Sequence, residues 1–243
     1  MWKERVIFMS TITICPLWDT AALKFAAREL ETLGVQVSKV PGNQVTHVLL
    51  PIPCPPMKAE ELPPNVTIIG GNLDAFPESC PKIDLLQDAG YLAENAALTA
   101  DCALRLLGQQ LSVAFSGCPI LIIGWGRIGK CLAQLLRNLG AKVTVAARKE
   151  SDKGMLTALG YNAISVSEIT LPPYRAVLNT APAPIMDCSD YDGIKIDLAS
   201  IQGLTGTDVQ WARGLPGKML PEASGLLIAR SVVRILRKKE ALQ

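Results

Sequence analysis

The sequence predicts a two-lobed α/β protein with a Rossmann-type parallel sheet domain and a smaller, degenerate N-terminal α/β lobe. Three observations carry that expectation. Short apolar runs alternate with helical stretches along most of the chain, the pattern of a parallel sheet with both faces covered. One run leads through Gly124-Trp125-Gly126-Arg127-Ile128-Gly129 straight into a helix, and that helix ends at Gly140 before another apolar run. Of the 243 residues 49% are apolar and 19% charged, ample for a large core and too hydrophobic for a disordered regulator.

The N-terminal residues 5–14 favour a strand. Lys3 and Arg5 precede Val6-Ile7-Phe8-Met9, but Glu4 interrupts the basic patch and no small-residue cleavage site follows, so a strand is expected and a signal peptide is not. Asp19 is placed to cap a helix whose Leu23, Ala26, Ala27, Leu30 and Leu33 keep helical spacing and which Gly34 ends. Residues 45–50 and 66–69 read as buried strands, separated by a loop containing Pro51-Ile-Pro-Cys-Pro-Pro and Pro63-Pro64. Residues 1–92 therefore form the first lobe, onto which the last helix (225–243) is expected to pack; residues 93–224 form the dinucleotide-binding domain with its linking helix.

That linking helix covers 91–111, with Leu98, Cys102, Arg105 and Leu106 at helical intervals, and Ser116-Gly117 breaks it. A strand at 118–123, a helix at 127–139 and a strand at 142–147 follow. Beyond them come a helix end at 155–160, strands at 163–166, 176–179 and 194–198, and a terminal helix at 222–240.

Composition removes several function classes. Lys+Arg 24 against Asp+Glu 22 gives a net charge of +2, too small and scattered an excess for a nucleic-acid binder. Aromatic residues at 5% leave no base-stacking platform. No stretch approaches the roughly 18 apolar residues of a membrane span. The 7 cysteines are scattered without a C-x-x-C pair, and read as buried thiols of a cytoplasmic protein with neither zinc site nor disulfide frame.

A lone G-x-G-x-x-G is a weak signal; between a predicted strand and a predicted helix it is specific. Gly124 permits the tight turn, Gly126 lets a pyrophosphate approach the backbone, and Gly129 allows close helix–strand packing. The free N–H groups of the helix start attract phosphate, with Trp125, Arg127 and Ile128 completing the cradle. At the next strand end an NAD site carries a carboxylate for the ribose 2′-hydroxyl, but this chain reads Ala147-Arg148-Lys149-Glu150-Ser151. Arg148 can fork onto a 2′-phosphate and Lys149 and Ser151 can add donors, so NADP(H) is expected rather than NAD. The nicotinamide half falls to three later segments: Asn179-Thr180-Ala181-Pro182, Asp197-Leu198-Ala199-Ser200 and Gly214-Leu215-Pro216-Gly217.

These segments together resemble the A subunit of dipicolinate synthase. The likeness rests on residues 122–129, Ala147-Arg148, Leu178-Asn-Thr-Ala-Pro182, Asp197-Leu-Ala-Ser200 with Gly206-Thr-Asp208, and Gly214-Leu-Pro-Gly217 with Pro221 and Gly225. Weaker echoes are Leu49-Leu50-Pro51 and Asn95 with Thr99. The resemblance implies NADP-dependent oxidation of dihydrodipicolinate to dipicolinate, a small dicarboxylate, in the cytoplasm of the mother cell during sporulation. It also implies a partner, a flavoprotein-like B subunit; a homo-oligomer is expected. The chain departs from the family in lacking a Gly-Gly turn after the first strand. It also reads Asn95-Ala-Ala-Leu-Thr99-Ala-Asp101 where the family favours Asn-Ser-Ile-Pro-Thr, and its shortened 208–215 stretch implies one strand lost.

A dianionic substrate needs cations or N–H donors, for which Lys218, Asn95 and Thr99 are candidates. Each reads more readily otherwise, Asn95 and Thr99 as helix-start polar residues and Lys218 as a surface lysine. His47, the only histidine, falls inside a predicted strand and reads as a core or strand-edge residue, which counts against a 2-hydroxyacid dehydrogenase. Oxidation of a dihydropyridine asks mainly for positioning, since aromatisation supplies driving force. No catalytic residue is assigned, and Asp197 reads as a structural strand-end carboxylate. In the terminal helix Arg230, Arg234, Arg237, Lys238 and Lys239 read as a solvated face or a docking face for an acidic partner. The alternative function is a non-catalytic NADP(H)-binding subunit or redox sensor.

Overall fold

The computed structural model describes residues 12–241. Contacts divide the chain into two compact units, Met1–Asn95 with Pro216–Gln243, and Ala96–Leu215. The sequence places those divisions at 92/93 and 224/225.

In the first unit, β1 (Thr13–Pro16), β2 (Gln36–Val37), β3 (His47–Leu49), β4 (Thr67–Gly70) and β5 (Lys82–Asp84) form a parallel sheet in the order β2-β1-β3-β4-β5. Cys15, Val48, Leu50, Ile68, Leu73 and Phe76 make one buried cluster against it. The part of the strand expected over 5–14 that precedes residue 12 lies outside the described residues, and so does the segment weighed as a signal peptide. Helix α1 (Ala21–Thr32) is capped not by Asp19 but by Thr20, whose Oγ1 accepts the Leu23 N–H at 3.2 Å. Asp19 instead pairs with Lys24 at 2.8 Å on the surface.

The last helix, α6 (Pro221–Glu240), packs on α1. A Cβ at Gly225 would collide with the Ala22 carbonyl and the Phe25 Cβ, so the close approach requires glycine there. Two cations expected in solvent are paired within the unit: Arg230 with Glu29 at 3.1 Å, and Arg234 with both Asp88 oxygens at 2.6 and 3.2 Å. The Arg234 guanidinium holds the Asp88 carboxyl below the usual carboxylate range. Asp88 also accepts the Tyr91 N–H at 2.7 Å, fixing the start of helix α2 (Ala89–Gln110), which leads into the second unit.

The second unit contains β6 (Pro119–Ile123), α3 (Arg127–Asn138), β7 (Lys142–Ala147), α4 (Glu150–Ala158), β8 (Asn162–Ser165) and β9 (Ala176–Asn179). The short β10 (Met186–Asp187), β11 (Ile194–Asp197), β12 (Leu204–Thr205) and β13 (Gln210–Trp211) follow, and α5 (Leu215–Met219) begins at its end. Six strands run parallel in the order β13-β11-β9-β6-β7-β8, while β10 pairs with β12 apart. Counted from β6, this is the 3-2-1-4-5-6 order of dinucleotide-binding sheets. Ile120, Leu121, Ile122 and Ile123 of β6 are fully buried, as a central parallel strand covered on both faces demands.

Between 208 and 215 the chain carries the two-residue strand β13, paired with β11 through Ile196–Gln210 and Asp197–Trp211. One expectation changes here. The expected turn Gly214-Leu-Pro-Gly217 is the start of α5, where a proline in the first turn forfeits no hydrogen bond. No helix among the described residues is long and apolar enough to cross a membrane.

Candidate dinucleotide site

The strands β6 and β9 are neighbours, with Ile123 opposite Asn179, so Gly124 and Thr180 leave the sheet side by side. The chain turns away from β6 in one direction toward β7 and later returns to β9 on the other, which places a crevice at this strand end. Gly124 has φ +101°, and a Cβ there would lie 2.6 Å from Thr180 Oγ1. Thr180 holds the turn twice, donating its N–H to the Ile123 carbonyl at 2.8 Å and its hydroxyl to the same oxygen at 2.9 Å. A Cβ at Gly129 would overlap the Gly124 carbonyl, so α3 packs against the turn through a bare backbone.

Gly126 differs from both. It caps α3 with an extended backbone (φ −80°, ψ −171°), carries no side-chain cap, and has nothing within 4 Å of where a Cβ would sit. The first turn of α3 contains no acidic residue. Packing therefore requires glycine at 124 and 129 but not at 126, where the missing side chain leaves an open notch beside unfilled helix N–H groups. The open space and the uncapped helix N–H groups suit an anion such as a diphosphate.

Around the notch, Trp125 is half-buried and edge-on to Tyr161, with centroids 5.7 Å apart and rings at 62°, and Lys130 Nζ lies 5.8 Å from its ring. Its indole is thus committed to packing. Arg127 is exposed and Ile128 half-buried in the first turn of α3.

At the end of β7, Ala147 is buried while Arg148, Lys149 and Ser151 are exposed. Lys149 caps α4 without a side-chain cap bond, and Ser151 sits in that helix's first turn with Glu150 and Asp152. Those two carboxylates oppose an anion. Glu150, however, is taken by Lys153 at 2.7 Å, and Lys153 also donates to Ser165 Oγ at 2.7 Å. Among the described residues neither Arg148 nor Lys149 forms an ion pair.

At the ends of β9 and β11 the side chains of Asn179 and Asp197, both expected among the cofactor contacts, turn inward, Asp197 as the structural strand-end carboxylate read from the sequence. Both are completely buried and bonded to each other, Asn179 Nδ2 donating to Asp197 Oδ2 at 3.1 Å. Asp197 also accepts the backbone N–H of Ala199 at 2.9 Å, Gly203 at 2.7 Å and Leu204 at 2.8 Å. Asn179 clasps Ala181 at both its N–H and its carbonyl. A buried carboxylate with four donors is satisfied where it stands. These side chains shape the loops 180–183 and 198–204, and what they leave for a ligand is the loop backbone. Thr180 and Ala181 are half-buried; Leu198, Ala199, Leu215 and Pro216 are buried.

Two residues that sequence reasoning passed over fasten the second loop. Trp211 Nε1 donates to the Ala199 carbonyl at 3.0 Å, and Arg213 donates to the Ser200 carbonyl while its guanidinium lies 5.4 Å from the Trp211 ring centroid. Of the substrate candidates, Asn95 and Thr99 stand one turn apart on α2, half-buried and buried, and both are engaged in interactions. Lys218 is exposed in the last turn of α5. His47 opens the interior strand β3, half-buried, its Nδ1 2.8 Å from Thr46 Oγ1; burial, then the charge of Lys239, lowers its pKa. Burial raises the thiols of Cys15, Cys54, Cys118 and Cys188, and takes Cys102 to about 11, so they stay protonated and unreactive at neutral pH.

No protein-family model matches this sequence, and no curated protein does. Among solved structures, the dipicolinate synthase A protein from Bacillus halodurans superposes with a TM-score of 0.79 at 20% identity, over 94% of this chain and 98% of that one. Its Bacillus subtilis counterpart gives 0.78 at 18% identity, over 96% and 98%. A transhydrogenase from Sinorhizobium meliloti gives 0.69 at 15%, over 97% and 88%. The likeness is one of fold, extends over nearly the whole chain, and reaches the family whose motifs the sequence resembles.

Proposed function

We propose that this chain is an NADP(H)-dependent oxidoreductase subunit of the dipicolinate synthase type, oxidising dihydrodipicolinate to dipicolinate. The observation that carries the reading is the Gly126 notch, open at an uncapped helix start beside the crevice between β6 and β9. The full-length likeness to the two dipicolinate synthase structures supports it.

Bound NADP+ would supply the acceptor for one hydride from a ring carbon of the dihydropyridine, which on losing one ring proton becomes the aromatic pyridine. The protein's own share is binding and placement. The N–H groups at the start of α3 hold the diphosphate, and Arg148 and Lys149 receive the 2′-phosphate that distinguishes NADP(H) from NAD(H). Thr180 fixes the turn after β6, while the Asn179–Asp197 pair fixes the two loops that floor the nicotinamide end. Aromatisation removes the need for a strong base, and positioning supplies most of what remains. The reading extends to a flavoprotein-like partner (the B subunit), a homo-oligomeric state, a cytoplasmic location and a role in sporulation.

A titration calorimeter tests the first step. NADPH is expected to bind more tightly than NADH, and heat from neither overturns the assignment. Dihydrodipicolinate oxidation is then measured with and without the B subunit. One observation favours a second reading, a nucleotide-binding subunit without chemistry of its own: residues 180–185 and 198–203 contain no titratable side chain. NADPH binding without turnover in either mixture selects that second reading.

A further inference from the structure

The carboxyl edge of the second sheet distributes its cations unevenly. Beyond β6 and β7 stand Arg127, Arg148, Lys149 and Lys153. Beyond β9 the chain reads Thr180-Ala-Pro-Ala-Pro-Ile185, and beyond β11 it reads Leu198-Ala-Ser-Ile-Gln-Gly203, with no cation in either loop. Beyond β13 comes Ala212-Arg213-Gly214. Among the described residues of these loops, Arg213 is the sole cation on the half of the edge assigned to the nicotinamide.

Its setting is built rather than incidental. The backbone N–H of Ala212 donates to the Asp197 carbonyl at 2.8 Å, tying the end of β13 to the buried Asn179–Asp197 pair. Trp211, 45% exposed despite its size, is held by its indole N–H on the Ala199 carbonyl and offers its ring to the guanidinium. Arg213 spends one donor on the Ser200 carbonyl. It forms no ion pair with a carboxylate among the described residues. A guanidinium has five N–H donors in a rigid fork, so the fork lies against the Trp211 ring and is tied to the Ser200 carbonyl and still has donors to give. A planar carboxylate meets such a fork with two parallel bonds.

We propose that Arg213 binds one carboxylate of the substrate and so makes this site selective for dicarboxylates over monocarboxylates. The proposal rests on the oxidoreductase reading above. It displaces Lys218 as the leading candidate for substrate charge, because Arg213 belongs to the same unit as the nicotinamide loops and is fastened to one of them.

The test uses the full chain loaded with NADPH and two stable probes, dipicolinate and the monocarboxylate pyridine-2-carboxylate, in wild type, Arg213→Gln, Arg213→Lys and Trp211→Phe. In Arg213→Gln, dipicolinate affinity is expected to fall about 10- to 100-fold, the scale of a lost charge-assisted pair. The preference for dipicolinate over pyridine-2-carboxylate should fall with it, while NADPH affinity stays within about twofold. Arg213→Lys should recover part of the loss, and Trp211→Phe, which keeps the charge and a ring, should lose about threefold or less. Undiminished dipicolinate binding in Arg213→Gln overturns the proposal. Equal losses of NADPH and dipicolinate overturn it too, by making Arg213 only a loop brace. If wild type binds NADPH but not dipicolinate, the substrate reading fails and the role of Arg213 falls with it. If it binds neither, the dinucleotide reading itself has failed.

Discussion

In the first unit β1 leads into α1 with β2 on one side and β3 on the other; in the second, β6 leads into α3 with β7 and β9 in the same relation. Both turns lie where the strand order reverses, the place at which parallel sheets of this kind bind ligands. Their helix starts differ. At the first, Thr20 fills the position with a hydroxyl bonded to the Leu23 N–H, and the preceding residues are Trp18 and Asp19. At the second, Gly126 fills nothing; neither helix has a carboxylate in its first turn. One topology thus yields a closed helix start and an open one, through the N-cap residue together with the residues that precede it. Topology says where a ligand can be held, and the make-up of the helix start decides whether an anion is received.

The largest break in that comparison is to close the open turn. In Gly126→Asp the extended backbone accepts any residue and nothing stands within 4 Å of the new Cβ, so the fold should tolerate it. Asp is among the best N-caps, so thermal stability should hold or rise by a few tenths of a kcal/mol. The same carboxylate occupies the place of a phosphate, and NADPH affinity should fall about 100-fold or more by calorimetry. Unchanged binding would mean that the notch is not the nucleotide site. Next in size is the paired change Arg148→Ala/Lys149→Ala, expected to weaken NADPH about 10- to 100-fold and NADH by no more than about threefold. Equal losses for the two nucleotides would show these cations to be general attractors rather than readers of the 2′-phosphate.

The two turns also differ in how far the sequence discloses them. From β6 to β7 the expected boundaries hold to within one residue, because apolar periodicity and three glycines punctuate the same stretch. Around β1, Asp19 and Thr20 are adjacent cap residues of similar propensity, and only the geometry of the first turn chooses between them. Strands β2 and β13 contain two residues each, too few to show any period. At the candidate site the residue types were legible but their directions were not. Asn179 and Asp197 stand at strand ends, as ligand contacts do, yet backbone N–H groups of their own loops draw them inward. The roles of Arg213 and Arg234 stay hidden for the opposite reason, since their partners Ser200 and Asp88 lie 13 and 146 residues away in sequence.

A smaller change sharpens the comparison from the closed side. Thr20→Ala removes the hydroxyl that accepts the Leu23 N–H and should cost about 1 kcal/mol in urea unfolding, with NADPH affinity unchanged. It bares the helix start without removing Trp18 or Asp19, so no new anion site is expected. A gain of phosphate binding there would show that baring a cap is sufficient by itself.

The smallest expected effect concerns His47, within the same sheet as the closed turn. Burial first, and the charge of Lys239 second, lower its pKa from 6.5 in the folded protein. A depressed folded value means that the folded state favours the neutral ring and the unfolded state takes up the proton more readily. The stabilisation is therefore complete above 6.5 and is lost as the pH falls from there through the folded value. Wild type should show a lower urea midpoint at pH 5 than at pH 7, and His47→Gln, which cannot take up that proton, a smaller difference between the two. NADPH affinity at pH 7 should be the same in both proteins, because His47 stands in the sheet whose helix start is closed. If His47→Gln instead lost nucleotide affinity as it lost its pH dependence, the assignment of dinucleotide binding to the open turn alone would have to be given up.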